Sequence, residues 1–445
     1  MTKAPTKKGH ERPVFMKIKI INTTYEEAMQ IKPPHHKKPL KPSMFFRILM
    51  KLLSVRAISK THFKCEKIGM ERLGKKEPAL YLMNHSCFID MKIVPTLLFP
   101  RPFNIVATRD TYIGKELLIR LIGCIPTTKF VADTTLVRDI IYCIRKLKSS
   151  VVMFPEAGYS LDGRATVLPE SLGKMIKMLG APVVSIHTDG AFARDPLYNN
   201  LQLRKVDVSA TEKYLLSPED IKNMSAEEIS EIVAKEFAFD NFRWQRENQI
   251  KIAEGFRADC LHRVLYKCPH CLSENKMLGK GTSLSCTECG KTYQLDEYGA
   301  LKATPGEGKF DHVPDWFDWQ RECVKKEVED GSYKLDTPVD IMMVIDSKGL
   351  YKVGEGRLTH DKGGFVLDGC DGKLHYEQKP LASYTLNSEY FWYEIGDVIS
   401  IGTLDRLYYC FPKGDGANVT KARLATEEIY KIAHAQQLKA KAERV

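Results

Sequence analysis

The sequence predicts an α/β protein in which a mixed sheet flanked by helices is followed by a small cysteine-containing module and a β-rich C-terminal domain. Between about residues 62 and 255, short apolar runs alternate with helical patterns, which is typical of α/β domains. Two closely spaced cysteine pairs follow at residues 268–289. From about residue 338, short strand patterns separated by turn signals end in a helical pattern.

The composition is that of a folded protein with several domains. The chain has 445 residues, 43% of them hydrophobic, which at roughly 100–200 residues per domain suggests two to four domains. Disordered and collagen-like chains are excluded. No run reaches the roughly 18 consecutive apolar residues of a membrane-spanning helix, and the basic N-terminus is not followed by the apolar core of a signal peptide. We therefore expect a cytoplasmic location and reduced cysteines.

The net positive charge lies in the first 60 residues. They contain 14 Lys or Arg and three Asp or Glu, whereas the rest of the chain is neutral. Ser43 is a suitable N-cap for a helix that carries Arg47, Lys51 and Arg56. The apolar residues of this helix recur at helical spacing: Met44, Phe45, Ile48, Leu49, Leu52, Leu53 and Ile58.

This pattern is typical of a helix that lies in the headgroup layer of a membrane. Eight basic side chains lie between Lys32 and Lys60. At about 1 kcal/mol each near an anionic surface, they predict reversible, peripheral association with anionic lipids at the inner face of the membrane. An amphipathic helix packed on its own domain would show the same apolar stripe.

Five strands and three helices are predicted in the α/β part of the chain. The strands are residues 79–83, 103–108, 151–154, 182–187 and 201–208, and the helices lie near residues 112–122, 134–147 and 170–179. Ser217 and Ser225 each begin an S-x-x-[DE] signature, so two further helices are expected to begin there.

The same patterns predict six segments. They are a basic arm with the interfacial helix (1–60), an α/β catalytic domain (61–215), a helical extension (216–262), a cysteine module (263–303), a Trp-containing helical linker (304–337) and a β-rich domain ending in a helix (338–445). The seven or so strands and final helix of the last segment resemble a pleckstrin-homology-like or GRAM-like barrel.

The most informative motif is the stretch YLMNHSCFID, which contains Asn84, His85 and Asp90. Residues five apart lie about 140° around a regular helix, so the pair can face one site only if His85 lies in a loop and Asp90 in the following helix. A histidine held by a carboxylate can act as a general base, because the carboxylate fixes its tautomer and stabilises the imidazolium. On spacing alone, a structural histidine is the simpler interpretation.

Three further stretches carry residues that suit a ligand site. VVMFPEAGYSLDGR places Glu156, Gly158, Ser160 and Arg164 after a buried-looking strand, where ligands bind in α/β sheets. Glycine there allows close approach of the backbone. LIGCIPTTKF contains Lys129, and GAPVVSIHTDG completes the set.

Taken in this order, the four stretches resemble the signature of the glycerolipid acyltransferase family over roughly residues 60–210. The motifs N-H-x4-D, G-x-I-P-x-x-[RK], F-P-E and a V-P-V-like strand match residues 84–90, 123–129, 154–156 and 181–184. The resemblance implies transfer of a fatty acyl group from acyl-CoA or acyl carrier protein to a hydroxyl of a lysophospholipid such as 1-acyl-glycerol-3-phosphate. It also implies that the catalytic residues are His85, Asp90 and Glu156, with the histidine as the base.

The sequence departs from the family pattern in the third motif. Ala157, Gly158 and Tyr159 stand where the family usually has Gly-Thr-Arg, so the arginine expected to hold a phosphate is missing, and a phenol cannot replace a guanidinium fork. Other cations could supply the charge, or the acceptor could carry a different headgroup. The candidate substrate-binding residues are Asn84, Arg109, Lys129, Gly158, Ser160 and Arg164.

The cysteine module has the spacing of a zinc ribbon. C-P-H-C and C-T-E-C are separated by fourteen residues, and they supply four thiolates from Cys268, Cys271, Cys286 and Cys289. Four cysteines fill a tetrahedral shell and leave no position for water, so we expect a structural zinc ion.

Two other classes of function compete with the enzyme. A catalytically degenerate acyltransferase-like protein could sense a lipid or an acyl carrier and use its ribbon and β-rich domain to bind partners. Nucleic-acid binding is disfavoured, because Glu274 and Glu288 offset the lysines around the ribbon.

Overall fold

The computed structural model of the chain describes residues 18–131, 133–414 and 418–443. Residues 1–17, which belong to the predicted basic arm, lie outside the described residues. The described residues form three sheets, of seven, four and eight strands. Among them, no helix is both long and apolar enough to cross a bilayer.

The N-terminal segment forms strand β1 (Ile20–Asn22), helix α1 (Tyr25–Gln30) and helix α2 (Met44–Ser59). Thr24 and Glu27 form a capping box at the start of α1. The predicted cap Ser43 accepts a hydrogen bond from the amide of Phe46 (3.5 Å), so α2 begins where the sequence indicates.

The seven-stranded sheet is the predicted mixed sheet. Its strands are β2 (Lys64–Ile68), β3 (Leu80–Met83), β4 (Phe103–Thr108), β5 (Cys124–Thr127), β6 (Ser150–Met153), β7 (Val183–Asp189) and β8 (Ser209–Leu216). They lie in the order β2-β8-β7-β3-β6-β4-β5, with β2 and β8 antiparallel to the other five. Strands β3 and β6 are buried throughout, as expected for parallel strands covered on both faces.

Helices cover both faces of this sheet. They are α3 (Asp90–Leu98), α4 (Glu116–Leu121), α5 (Thr134–Arg145), α6 (Ser171–Leu179), α7 (Ala191–Arg194), α8 (Pro218–Asn223), α9 (Ala226–Phe237) and α10 (Asn241–Glu247). The two predicted caps both form capping boxes, in which Ser217 and Ser225 each accept a hydrogen bond of 3.1 Å from the amide three residues later. One apolar core lies on the α3 side of the sheet, and a second lies under α5, α6 and α9.

The predicted strand at residues 201–208 is wrong. This segment is irregular, and the strand is β8 instead. Arg204 is buried in the segment, and its guanidinium donates to the hydroxyl of Tyr198 (2.9 Å) and to the carbonyl of Arg257 (3.0 Å). The apolar residues that suggested a strand are therefore buried by a loop that this arginine anchors.

The predicted helix near residues 112–122 is shorter than expected. A 3₁₀ turn (Arg109–Tyr112) precedes α4, and Gly114 has a φ of 75° between the two. A left-handed residue interrupts helical hydrogen bonding, so the segment cannot form one continuous helix.

The cysteine module is a four-stranded antiparallel sheet that packs on a long helix. Its strands are β9 (Met277–Lys280), β10 (Ser283–Cys286), β11 (Thr292–Leu295) and β12 (Leu301–Thr304), and the helix is α11 (Val313–Glu329). Trp316 of α11 packs edge-on against Tyr293, with 4.7 Å between the ring centroids, and its indole nitrogen donates to the carbonyl of Lys267 (2.9 Å). The tryptophan therefore joins the module to the helix.

The C-terminal part is a sheet of seven antiparallel strands followed by a helix. The strands are β13 (Leu335–Val344), β14 (Leu350–Asp361), β15 (Gly364–Gly369), β16 (Leu374–Gln378), β17 (Asn387–Trp392), β18 (Gly396–Gly402) and β19 (Leu407–Pro412), and the helix is α12 (Val419–Ala442). Their order is β16-β15-β14-β13-β19-β18-β17. An eighth strand that the sequence does not predict is β1, which pairs parallel to β14 with Ile20 opposite Leu350.

Candidate active site

His85 and Asp90 form a hydrogen-bonded pair at the end of β3. His85 lies in the loop after the strand, and Asp90 is the first residue of α3. The Nδ1 atom of His85 lies 3.0 Å from Oδ2 of Asp90, and that oxygen also accepts hydrogen bonds from the amides of Ser86 (2.8 Å) and Cys87 (3.1 Å). The spacing of five residues therefore works as expected, with one partner in the loop and the other in the helix.

This contact determines what the imidazole can do. Asp90 is fully buried and acts as an acceptor, so Nδ1 carries the proton and Nε2 is left as a lone-pair base. The His85 side chain is 16% exposed. A buried carboxylate behind a partly exposed imidazole can stabilise the imidazolium that forms when Nε2 takes a proton.

Two aromatic rings hold the imidazole in place. Phe154 stacks on His85 with 4.0 Å between ring centroids. The ring of Tyr159 is tilted relative to the imidazole, with 4.3 Å between their centroids. Burial, and after it the negative charge of Glu389, raises the pKa of Tyr159 well above its usual range. The phenol therefore stays neutral beside the base.

Glu156 fixes the backbone of the histidine loop. Its Oε2 accepts a hydrogen bond from the amide of His85, and its Oε1 accepts one from the amide of Thr166, both at 2.8 Å. Burial raises the pKa of Glu156 to about 7, although both hydrogen bonds act in the opposite direction. Glu156, predicted as catalytic from the family resemblance, thus has the contacts of a positioning residue.

The raised pKa of Glu156 predicts a pH dependence of folding stability. The folded state binds this proton more tightly than the unfolded state, so the stabilisation is complete below pH 4.5 and is lost as the pH rises through about 7. At about 1.4 kcal/mol per pKa unit, the loss is on the order of 3 kcal/mol. Denaturant unfolding of the parent and of Glu156→Gln between pH 4.5 and 7 measures it. The parent should lose this extra stability as the pH rises, and the variant should not. If the free energy of unfolding changed equally with pH in both proteins, the raised pKa of Glu156 would be contradicted.

Asn84 and Ser160 form hydrogen bonds that hold the backbone around the site in place. The Oδ1 of Asn84 accepts hydrogen bonds from the amide (2.8 Å) and hydroxyl (3.1 Å) of Thr188, which ties the end of β3 to β7. The amide of Ser160 donates to the carbonyl of His85 (3.1 Å), and its hydroxyl donates to the carbonyl of Arg164 (2.6 Å). A Cβ on Gly158 would meet no atom within 4 Å, so this glycine borders open space.

The three candidate cations all have partners from the C-terminal half of the chain. Arg164 makes a two-pronged ion pair with Asp318 of α11 (2.7 and 2.6 Å) and also bonds Asp162 (2.8 Å). Lys129 pairs with Glu389 of β17, and Arg109 donates to the carbonyl of Leu404. The sequence gives no signal for these partners, because each lies more than 150 residues from its cation.

A large apolar cavity opens beside the His85–Asp90 pair. Its volume is about 1140 Å³, somewhat larger than the roughly 300–1,000 Å³ of most small-molecule sites. His85 and Tyr159 lie in its wall, and so do Leu49 and Leu53 of α2. The C-terminal sheet and its flanking segments contribute Leu381, Tyr384, Tyr390, Phe391, Trp392 and Tyr393. A base at the wall of an apolar cavity suits chemistry on a substrate with a hydrocarbon chain.

The four predicted metal ligands lie together, away from this cavity. Their sulfur atoms are all within 4.8 Å of one another, with Cys268 and Cys289 at 3.8 Å and Cys271 and Cys286 at 3.7 Å. A tetrahedral ion with metal–sulfur bonds of about 2.3 Å needs sulfur separations of about 3.8 Å. The cluster therefore fits a structural metal ion.

Fold and site together define an acyltransferase domain. Residues 64–188 match the family model described as Acyltransferase, and this range contains the loop of His85, α3 and the turn of Glu156. Over this range the match agrees with the acyltransferase resemblance that the motifs carry.

The comparison with solved structures finds a likeness to the 1-acyl-sn-glycerophosphate (LPA) acyltransferase PlsC from Thermotoga maritima. The two are 16% identical, the alignment covers 47% of this chain and 81% of that chain, and the TM-score is 0.36. The comparison with curated proteins gives no significant match.

Proposed function

We propose that the chain is a peripheral membrane O-acyltransferase that moves a fatty acyl group from acyl-CoA or acyl carrier protein to a hydroxyl of a lysolipid. The observation that carries the proposal is the His85–Asp90 pair at the wall of the apolar cavity. The resemblance implies a lysophospholipid, with 1-acyl-glycerol-3-phosphate as the first example to test.

The chemistry needs one base and no covalent enzyme intermediate. Nε2 of His85 takes the proton of the acceptor hydroxyl while that oxygen attacks the carbonyl carbon of the thioester. The new ester bond forms as the carbon–sulfur bond breaks, and the proton passes from the imidazolium to the leaving thiolate. Asp90 stabilises the imidazolium throughout.

Exposed apolar side chains on α2 and α4 support membrane association. On α2, Phe45 is 66% exposed and Leu52 is 65% exposed, and Met44, Ile48 and Val55 lie on the same helical face. Leu117 of α4 is exposed as well. Leu49 and Leu53 of α2 also line the cavity, so a membrane bound at this face would lie next to the space proposed for the acyl chain.

Membrane binding should depend on the exposed face of α2. Phe45→Asp with Leu52→Asp is expected to weaken binding to anionic vesicles at least about tenfold, because burying one such side chain contributes roughly 1.5–3 kcal/mol. Sedimentation with vesicles that contain anionic lipids measures the change. Leu272→Asp is the control, since this leucine is 60% exposed on the ribbon. If the double variant bound as the parent does, the exposed face of α2 would have no part in binding.

The proposal includes a structural zinc ion in the cysteine cluster. Four cysteine thiolates at tetrahedral separations suit Zn²⁺ better than cations that prefer oxygen ligands. The ion would contribute to folding of the ribbon and would take no part in acyl transfer, because the four cysteines do not line the cavity.

The direct test of the proposed function is release of thiol from a long-chain acyl thioester in the presence of liposomes and lysolipid acceptors. Acceptor-dependent release, with acylated lipid as the product, supports the enzyme. A folded protein that released no thiol with either the coenzyme A or the carrier-protein donor would favour the alternative, a lipid or acyl-carrier sensor.

A further inference from the structure

One ion pair in the wall of the cavity joins the acyltransferase domain to the C-terminal sheet. Lys129 follows β5, in the position of the cation of the second family motif, and Glu389 lies on β17. Their side chains are only 17% and 14% exposed, and both line the cavity. Lys129, which the resemblance predicts to bind a phosphate, is therefore already paired with Glu389 inside the cavity.

A second carboxyl lies close to the same lysine. Asp110 is buried in the 3₁₀ turn after β4 and accepts a hydrogen bond from the hydroxyl of Tyr393 (3.1 Å). Burial raises the pKa of Asp110, and the charge of Lys129 is the largest influence in the opposite direction. Lys129, its partner Glu389 and Asp110 all line the same cavity.

Glu389 lines the same cavity as His85. After burial, the charges of Glu389 and Asp90 are the next largest causes of the raised pKa of Tyr159. Tyr159 in turn lies 4.3 Å from His85 between ring centroids. An acceptor bound in this cavity would therefore share it with both His85 and Glu389.

The described lining of the cavity as a whole has no excess of positive charge. Its described charged side chains are four lysines (Lys92, Lys115, Lys129 and Lys174) and four carboxylic acids (Asp110, Asp133, Glu170 and Glu389). No arginine is among the described lining residues, although the planar guanidinium is the side chain that binds phosphate in two-pronged fashion. Tyr159 occupies the place of the usual arginine.

We propose that Glu389 determines the class of acceptor by pairing with Lys129, so that the enzyme acylates lipid alcohols with an uncharged headgroup rather than lysolipids that end in a phosphate monoester. The proposal rests on the proposed acyl transfer and deepens it. A phosphate at Lys129 would face the carboxylate of Glu389 and the carboxyl of Asp110, or would have to displace Glu389 and leave it buried without its partner.

The polar groups near Lys129 suit an uncharged hydroxyl headgroup. The hydroxyl of Thr128 is buried, lines the cavity and has no hydrogen-bond partner in the described structure. A buried hydroxyl without a partner can donate to, and accept from, a hydroxyl of the acceptor. A carboxylate such as that of Glu389 can also accept a hydrogen bond from such a group.

The test compares 1-acylglycerol with lysophosphatidate that carries the same acyl chain. kcat/KM for thiol release is measured for each acceptor with the full-length parent, Glu389→Gln and the double variant Lys129→Met, Glu389→Gln. We expect the parent to prefer 1-acylglycerol at least about tenfold, since like charges brought together in an interface are strongly disfavoured. Glu389→Gln should shift the ratio toward lysophosphatidate by about tenfold, because Lys129 is released, and the double variant should lose that gain.

Glu377→Gln is the matched control, since Glu377 pairs with Lys379 (2.6 Å) on the exposed edge of the same sheet. It should leave the ratio unchanged. A parent protein that prefers lysophosphatidate, or a Glu389→Gln ratio within about twofold of the parent, would overturn the proposal. If the variant does not fold, the ratio of the parent decides alone. Absence of release with every acceptor would instead contradict the proposed function.

Discussion

Replacing His85 with alanine is expected to lower acyl transfer by about 10²–10⁴, the usual contribution of a positioned general base. His85 is the only histidine in the described wall of the cavity, and Asp90 holds its ring through Nδ1, which leaves Nε2 free of that contact. The measurement is kcat for thiol release from a long-chain acyl thioester with liposomes and acceptor, for parent and variant side by side. Binding to vesicles should not change, because α2 is untouched.

The matched control for this experiment is His375→Ala. His375 also forms a histidine–aspartate pair, with Nδ1 2.6 Å from a carboxylate oxygen of Asp368, but the pair lies on the exposed surface of the C-terminal sheet. Its loss should leave the rate unchanged. If His85→Ala retained activity within about twofold of the parent, the general-base mechanism would be wrong even if acyl transfer itself were observed.

Removing the proposed zinc ion is expected to destabilise the whole C-terminal half. Structural zinc contributes apparent free energies of about 10–16 kcal/mol in small zinc-binding peptides. Here the ribbon also packs into a core that it shares with α11 and the C-terminal sheet; this core includes Leu284, Trp316 and Ile399. The destabilisation caused by loss of the ion should therefore extend through that core.

Electrostatic contacts extend the coupling from the ribbon to α12. Lys267, next to the ligand Cys268, pairs with Glu274 (3.0 Å) and with Glu327 of α11 (3.2 Å). Lys421 of α12 pairs with the same two carboxylates, both at 2.7 Å. Because the C-terminal sheet supplies a wall of the cavity, acyl transfer should fall together with stability.

Cys268→Ser measures this effect, together with metal content by elemental analysis and thermal unfolding. About 1 kcal/mol shifts the melting temperature by roughly 2–4 °C in domains of 150–250 residues, so a loss of several kcal/mol should lower it by about 10 °C or more. Cys65→Ser is the control, since Cys65 lies on β2, outside the cluster. A variant that lost the metal and kept the melting temperature of the parent would show that packing alone holds the ribbon.

The local parts of the site could be predicted from the sequence. The His85–Asp90 pair and the four cysteines depend on short spacings that fix loop and helix geometry within a few residues. The same is true of the caps at Ser43, Ser217 and Ser225. Each motif is read from neighbouring residues, and neighbouring residues determine these contacts.

Contacts between distant segments could not be predicted in this way. The three cations predicted to bind substrate instead pair with Glu389, Asp318 and Leu404. The spacing of a motif does not indicate a partner that lies far along the chain. The wrong strand prediction at residues 201–208 has a related cause. Arg204 in this segment binds the carbonyl of Arg257, a distant partner that the local strand-like pattern does not indicate. The edge strand β2 and the short strand β5 lack the long apolar runs by which strands are recognised.

The pairing of β1 with β14 bears on how the chain is made. Ile20 is translated early, and its partner Leu350 leaves the ribosome about 330 residues later. At about 5–20 residues per second, the interval is roughly 20–70 s. During this time α2 and its exposed apolar face are already synthesised, whereas the sheet edge that receives β1 does not yet exist. A nascent chain can therefore meet a membrane through α2 before its N-terminal strand is in place, and a chain that stops before residue 350 leaves that strand without a partner.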